Sequence, residues 1–222
     1  NMIKACIFDL DGVIVDTARF HYIAWKRLAN MLGFEFTEHD NERLKGVSRM
    51  DSLEILLSVG NITNLTHEKK LEYADMKNKW YVEYISTLTP ADILPGAIEI
   101  LEFLKSHNIK TAIGSASKNA MSILQGLKLE HAFDTIVDGT RIAKAKPDPQ
   151  VFLTGAYDLK VSPGQCVVFE DAEAGIEAAI RGGMKCIGIG SPVQLGKADI
   201  VVPSLDKLNF DIVLSLDSIT KQ

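Results

Sequence analysis

Short apolar runs alternate with helical periodicity over most of the chain, and that alternation sets the fold expectation. Residues 2–8 are almost continuously apolar and close on Asp9-Leu10-Asp11-Gly12, the pattern of a buried strand entering a turn. Runs of the same kind recur at 110–114, 135–137, 165–169 and 185–189. Segments 97–106, 119–127, 150–159 and 172–181 carry apolar residues at the 3.6-residue rhythm of helices packed on one face. Strands alternating with helices predict an α/β fold, a Rossmann-like parallel sheet covered on both faces.

The stretch after the first strand breaks the pattern. It holds no convincing strand, and its helical patterns fall at 18–32, 50–57 and 68–85. The expectation is an inserted small α-helical domain over 16–89, with 1–15 and 90–222 forming the sheet core. There is no internal repeat or low-complexity segment.

Composition narrows the function classes. Of 222 residues, 46% are hydrophobic and 24% charged, which is ordinary for a globular chain. The formal charge of −5 argues against nucleic acid as a partner, because phosphate backbones are bound by an excess of Lys and Arg. Cys6, Cys166 and Cys186 have no CxxC spacing, and Cys6 and Cys186 sit inside apolar runs, so they read as reduced structural residues. No apolar run reaches the roughly 18 residues of a membrane span, and no signal-peptide pattern opens the chain. These features predict a cytoplasmic protein with no membrane partner. Asn1, ahead of Met2, reads as foreign to the native chain, and no long apolar patch is legible, which favours a monomer.

Four polar clusters follow predicted strands. Asp9 and Asp11 are two apart, so in extended geometry both carboxylates share a face. They could meet one ligand beyond the carboxyl ends of the strands, where open α/β sheets bind. One carboxylate can act as nucleophile and another as acid/base; a plain polar turn is the alternative. Ser115-Ala116-Ser117 offers hydroxyls and N–H groups to a phosphate, or Ser117 simply caps a helix. Lys146-Pro147-Asp148-Pro149 is either a helix start or a fixed positive charge for a phosphate. Glu170-Asp171 pairs two acids suited to magnesium, or Asp171 caps the next helix.

Taken in order, these clusters resemble the four signatures of the haloacid dehalogenase-like superfamily. The first is carried by Phe8-Asp9-Leu10-Asp11-Gly12-Val13-Ile14 with Asp16-Thr17. The resemblance implies Asp9 as nucleophile and Asp11 as general acid/base. It implies Ser115 and Ala116 as holders of the transferring phosphoryl group, and Lys146 as its neutraliser. Asp9, Glu170 and Asp171 would be carboxylates of a Mg²⁺ site, to which Asp11 adds its backbone carbonyl. Val15 and Gly114 depart from the commonest family residues, at positions with no proposed role.

The helical insertion stands where the superfamily places a cap that closes over the site. Its runs Thr17-Ala18-Arg19-Phe20-His21, Ala24-Trp25, 41–49 and Met76-Lys77-Asn78 resemble the hexose-phosphate mutases of the superfamily. That implies Thr17, His21 and Lys77 as residues that hold the acid/base Asp11. Arg49 would grip a second, non-transferring phosphate, while Leu44, Lys45, Gly46, Val47 and Ser48, with Trp25, would contribute to substrate binding. A sugar bisphosphate needs two anion sites, and Ser117, Lys118 and Asn119 would complete the second one. The implied partners are small hexose phosphates, with β-glucose 1,6-bisphosphate as intermediate and activator between β-glucose 1-phosphate and glucose 6-phosphate. A sugar-phosphate phosphatase using the same aspartates is the alternative. Without the resemblance, His21 would pass for a first-turn helix residue, Lys77 for a solvated one and Arg49 for an exposed helix start.

Overall fold

The computed structural model describes residues 2–45 and 47–218. It separates into two compact units, one running to Asp16 and resuming at Leu88, the other Thr17–Thr87. No described helix is long and apolar enough to cross a membrane.

The first unit is built on six parallel strands: β1 Ala5–Phe8, β2 Lys110–Gly114, β3 Thr135–Val137, β4 Cys166–Glu170, β5 Lys185–Ile189 and β6 Ile200–Val202. Their order is β3-β2-β1-β4-β5-β6. β1 and β4 are buried at every position, as expected of strands covered on both faces. Ala5 and Ile7 face a core with Ala112, Phe152 and Val168. Phe8, one step out of phase with them, stacks on Phe169 at a centroid distance of 4.5 Å. β1 is shorter than the 2–8 run, and β4 extends one residue further, to Glu170. β6 was not anticipated, because three apolar residues before Pro203 are too short to distinguish from a loop.

The second unit holds α1 Ala18–Met31, α2 Glu38–Asn41, α3 Arg49–Val59 and α4 His67–Ile85. Trp25, Leu28 and Ala29 of α1 pack with Phe36, Leu53, Leu56, Leu57 and Ala74 in its core. Ser48 caps α3 by accepting from the Asp51 N–H at 3.3 Å, so Arg49 is the first helical residue. Thr66 caps α4 through the Lys69 N–H at 3.1 Å. The core helices are α5 Ala97–Ser106, α6 Ala120–Gly126, α7 Gln150–Leu159, α8 Glu173–Arg181, α9 Pro192–Leu195 and α10 Asp211–Ser215. The four- and five-residue helices α2, α9 and α10 are too brief to show a periodicity, and the sequence reading did not include them.

Candidate active site

In the 3-2-1-4-5-6 order, the chain reverses direction across the sheet between β1 and β4. Doubly wound sheets open a ligand crevice at that point, beyond the strand ends. Asp9 leaves β1 there, with its N–H donating to the Phe169 carbonyl of β4 at 2.9 Å. β4 ends in Glu170, and Asp171 follows. One oxygen of each of Asp9, Glu170 and Asp171 lies within 4.8 Å of the others. Asp11 is half-buried in the next turn, which closes through Gly12 N–H to Val15 O at 2.7 Å. Its carboxylate is outside the three-carboxylate group. Gly12 has φ +80°, and a Cβ on it would overlap the Asp171 carboxylate, so conformation and space both require glycine.

Lys146 anchors this group. Its Nζ donates to Glu170 Oε2 at 2.8 Å, Asp9 Oδ1 at 3.1 Å and the Gly114 carbonyl at 3.3 Å, and it lies 4.9 Å from the Phe152 ring centroid. Burial by itself would lower the Lys146 pKa, but the Asp9 and Glu170 charges outweigh it and push it up. For Glu170 the balance is opposite. Burial, then the Asp9 charge, push it up to about 7, although Lys146 pulls it down. Asp171 is pushed up to about 10 by burial, then by Asp9 and Glu170. Three crowded carboxylates therefore share one ammonium, too little positive charge to hold all three ionised. That deficit, in an all-oxygen donor set with the Asp171 carboxylate seated on bare Gly12, fits a hard divalent cation such as magnesium.

The loop after β2 is tightly folded. The Ser115 N–H donates to Val137 O at 2.9 Å, and Gly139 N–H donates to Ser117 O at 3.0 Å. A Cβ on Gly139 would overlap the Ala116 carbonyl, so this glycine lets the two loops meet. The Ser115 hydroxyl accepts from Ser117 N–H at 3.1 Å, and the Ser117 hydroxyl from Asn119 N–H at 3.0 Å. These are local side-chain turns, and the helix-cap alternative for Ser117 fails because α6 starts only at Ala120. Ala116 and Lys118 are exposed, Ser115 is buried and Asn119 lies between. Asp171 does not cap α8 either, since Ala172 occupies that position without a side-chain bond. Pro149 precedes α7, and Asp148 Oδ1 accepts from Gln150 N–H at 2.9 Å.

In the helical unit, Lys77 Nζ lies 2.7 Å from His21 Nδ1. The His21 ring stacks on Tyr81 at 3.9 Å, and Lys77 sits 4.6 Å from the Trp25 centroid. Lys77 is not on a solvated face: it is 3% exposed and belongs to the buried α4 stripe Ala74, Lys77, Tyr81 and Ile85. Burial, then the Arg49 charge, push it down to about 7. Burial, then Lys77 and Arg49, hold His21 well below its ordinary value, so the ring beside Lys77 is neutral. Arg49 is exposed and donates to Asn78 Oδ1 at 3.1 Å. Thr17 is buried, and its carbonyl accepts from Phe20 and His21 N–H at 3.0 and 3.3 Å. Trp25 and Leu44 lie in the helical core rather than on its surface. Lys45 is exposed, Val47 is half-buried and Ser48 is occupied as the α3 cap. Gly46 lies outside the described residues. Tyr81, Asn78 and Phe152 were not assigned roles from sequence. Tyr81 was findable, four residues after Lys77 on the same helical face.

Strand order, a carboxylate at the switch point and a lysine locked against it define the class. The chain belongs to the haloacid dehalogenase-like hydrolase family, whose model matches residues 3–183. Its individual relatives are more specific. It is 46% identical over 211 residues to β-phosphoglucomutase of Bacillus subtilis (strain 168), covering 95% of this chain and 93% of that protein. It is 34% identical to a phosphorylated carbohydrates phosphatase of Thermotoga maritima, covering 88% and 89%. Among solved structures, a β-phosphoglucomutase from Clostridium difficile matches with a TM-score of 0.90 and 43% identity, covering 98% of each chain.

Proposed function

We propose that this protein interconverts β-D-glucose 1-phosphate and D-glucose 6-phosphate through a phosphorylated Asp9 and β-glucose 1,6-bisphosphate. The observation that carries the phosphoryl-transfer part is Lys146, held at 3.1 Å from Asp9 and 2.8 Å from Glu170. The sugar is supported by the Bacillus and Clostridium β-phosphoglucomutases, which this chain resembles over nearly its whole length.

Phosphorylated Asp9 gives its phosphoryl group to the 6-hydroxyl of β-glucose 1-phosphate. The Asp9–phosphorus bond breaks, the sugar oxygen–phosphorus bond forms, and Asp11 takes the hydroxyl proton. The bisphosphate turns over in the site. Asp9 then attacks the other phosphorus, and Asp11 returns the proton to the departing sugar oxygen, leaving glucose 6-phosphate and a phosphorylated enzyme. Asp9, Glu170, Asp171 and the Asp11 carbonyl would hold Mg²⁺, which supplies charge neutralisation for the phosphoryl oxygens. Lys146 neutralises Asp9 and the incoming group. Such transfer depends chiefly on positioning and electrostatics. Ser115 and the Ala116 N–H hold the transferring group. Ser117, Lys118 and Asn119 are the core unit's candidates for holding the second phosphate, and Arg49 is the helical unit's candidate. Thr17, His21 and Lys77 are the helical unit's candidates for assisting the proton transfer, and Lys45 and Val47 its candidates for sugar binding.

The Thermotoga phosphatase keeps a second reading open, in which water attacks the phosphorylated aspartate. Arg49→Ala distinguishes them. A lost hydrogen bond to a charged group is worth about 1.5–3 kcal/mol, so the mutase reading expects glucose 6-phosphate formation to fall roughly tenfold to hundredfold. Unchanged turnover in steady-state kinetics, with phosphate as product, would favour the phosphatase.

A further inference from the structure

Gly175 is the third residue of α8, inside a nine-residue helix where glycine is less favourable than alanine. What it provides is space. A Cβ at this position would overlap Cγ, Cδ and Oε2 of Glu170. Glu170 is 1% exposed, so moving aside would mean giving up the contacts that hold it. Its backbone is the last residue of β4, in register with Gly188 of β5. Both of its oxygens are committed: Oε1 accepts from the Asp171 and Ala172 N–H groups at 3.0 and 3.2 Å, and Oε2 from Lys146 at 2.8 Å. The carboxylate thus lies between the end of β4 and the first turn of α8, in the volume that a side chain at 175 would fill. Lys146 in turn spans Glu170, Asp9 and the Gly114 carbonyl.

We infer that Gly175 is a positioning residue for phosphoryl transfer: its bare Cα seats Glu170, and through Glu170 it fixes Lys146 beside Asp9. The inference rests on the proposed function only for its Mg²⁺ readout; the packing argument stands on the geometry alone.

The test compares the intact protein with Gly175→Ala, Glu170→Ala and the double variant, in thermal melts and in calorimetric titration of Mg²⁺ without sugar phosphate. Gly175→Ala is expected to lower the melting midpoint and weaken Mg²⁺ binding by about tenfold or more, as loss of support around metal ligands does. On the Glu170→Ala background the same change should leave Mg²⁺ affinity within about twofold, because the two residues act as one unit. There it should also raise the midpoint, since alanine favours the helix and the space is empty. A folded Gly175→Ala with unaltered Mg²⁺ affinity and midpoint would overturn the inference, as would equal losses on both backgrounds. If Gly175→Ala does not fold, the double variant decides: a folded one supports the seat, and an unfolded one refutes it. Should the unaltered protein bind no Mg²⁺, the metal reading falls, and the reversal in sign of the midpoint change still decides the role of Gly175.

Discussion

Asp9→Asn is expected to abolish turnover while leaving the protein folded. The carboxamide oxygen is a poor nucleophile at phosphorus and cannot form a stable acyl phosphate, so both half-reactions lose their covalent intermediate. The fold should tolerate the change. Asn removes one negative charge from a group in which Asp9 already pushes the pKa values of Glu170 and Asp171 up. The weakened bond to Lys146, now to a neutral oxygen, offsets that relief in part, and Lys146 keeps Glu170 and the Gly114 carbonyl. Activity assays, phosphate incorporation from the sugar bisphosphate and a thermal melt check this together. Phosphorylation persisting in a folded Asn variant would place the nucleophile elsewhere.

Lys146→Ala is the second large effect. Among the described residues, Lys146 is the one cation that donates to both Asp9 and Glu170, so its removal exposes the attacking carboxylate and the arriving phosphoryl group to unbalanced charge. Loss of one preorganised donor to developing charge typically costs about 10²–10³ in kcat. The stability cost has a natural limit. Breaking a buried pair can cost about 3–5 kcal/mol when the remaining charge is stranded. Glu170, however, is already pushed up to about 7 and can take a proton instead. The expectation is a folded variant with a moderately lowered melting midpoint and a kcat reduced far more than the KM for sugar phosphate is raised. Lys146→Arg should not rescue it, because a planar guanidinium does not reproduce a compact ammonium caged by three oxygens. A kcat within a few fold of the unaltered protein would remove Lys146 from the mechanism.

The core site was legible because its chemistry is local to strand ends. Apolar runs that stop abruptly at Asp9, Ser115 and Glu170 mark where each strand leaves the sheet, and strand order does the rest. β6 was not legible, since three residues carry no period. Lys77 was legible only through the resemblance. Read by residue type it is a solvated cation, but the stripe Ala74, Lys77, Tyr81 and Ile85 has helical core spacing and could have been seen. Trp25 was drawn to the substrate by the motif around it, while its size and its spacing to Leu28 and Ala29 mark a core residue. Gly175 lay beyond any sequence reading. The meaning of a glycine there is the atom it would displace, and that atom belongs to a side chain five positions earlier on another element.

The central claim is that phosphoryl groups pass from Asp9 to sugar rather than to water. The most direct test is to incubate the protein with Mg²⁺, β-glucose 1-phosphate and a trace of β-glucose 1,6-bisphosphate, following glucose 6-phosphate and free phosphate in the same sample. The account predicts glucose 6-phosphate forming much faster than phosphate, with α-glucose 1-phosphate inert; free phosphate as the main product would contradict it.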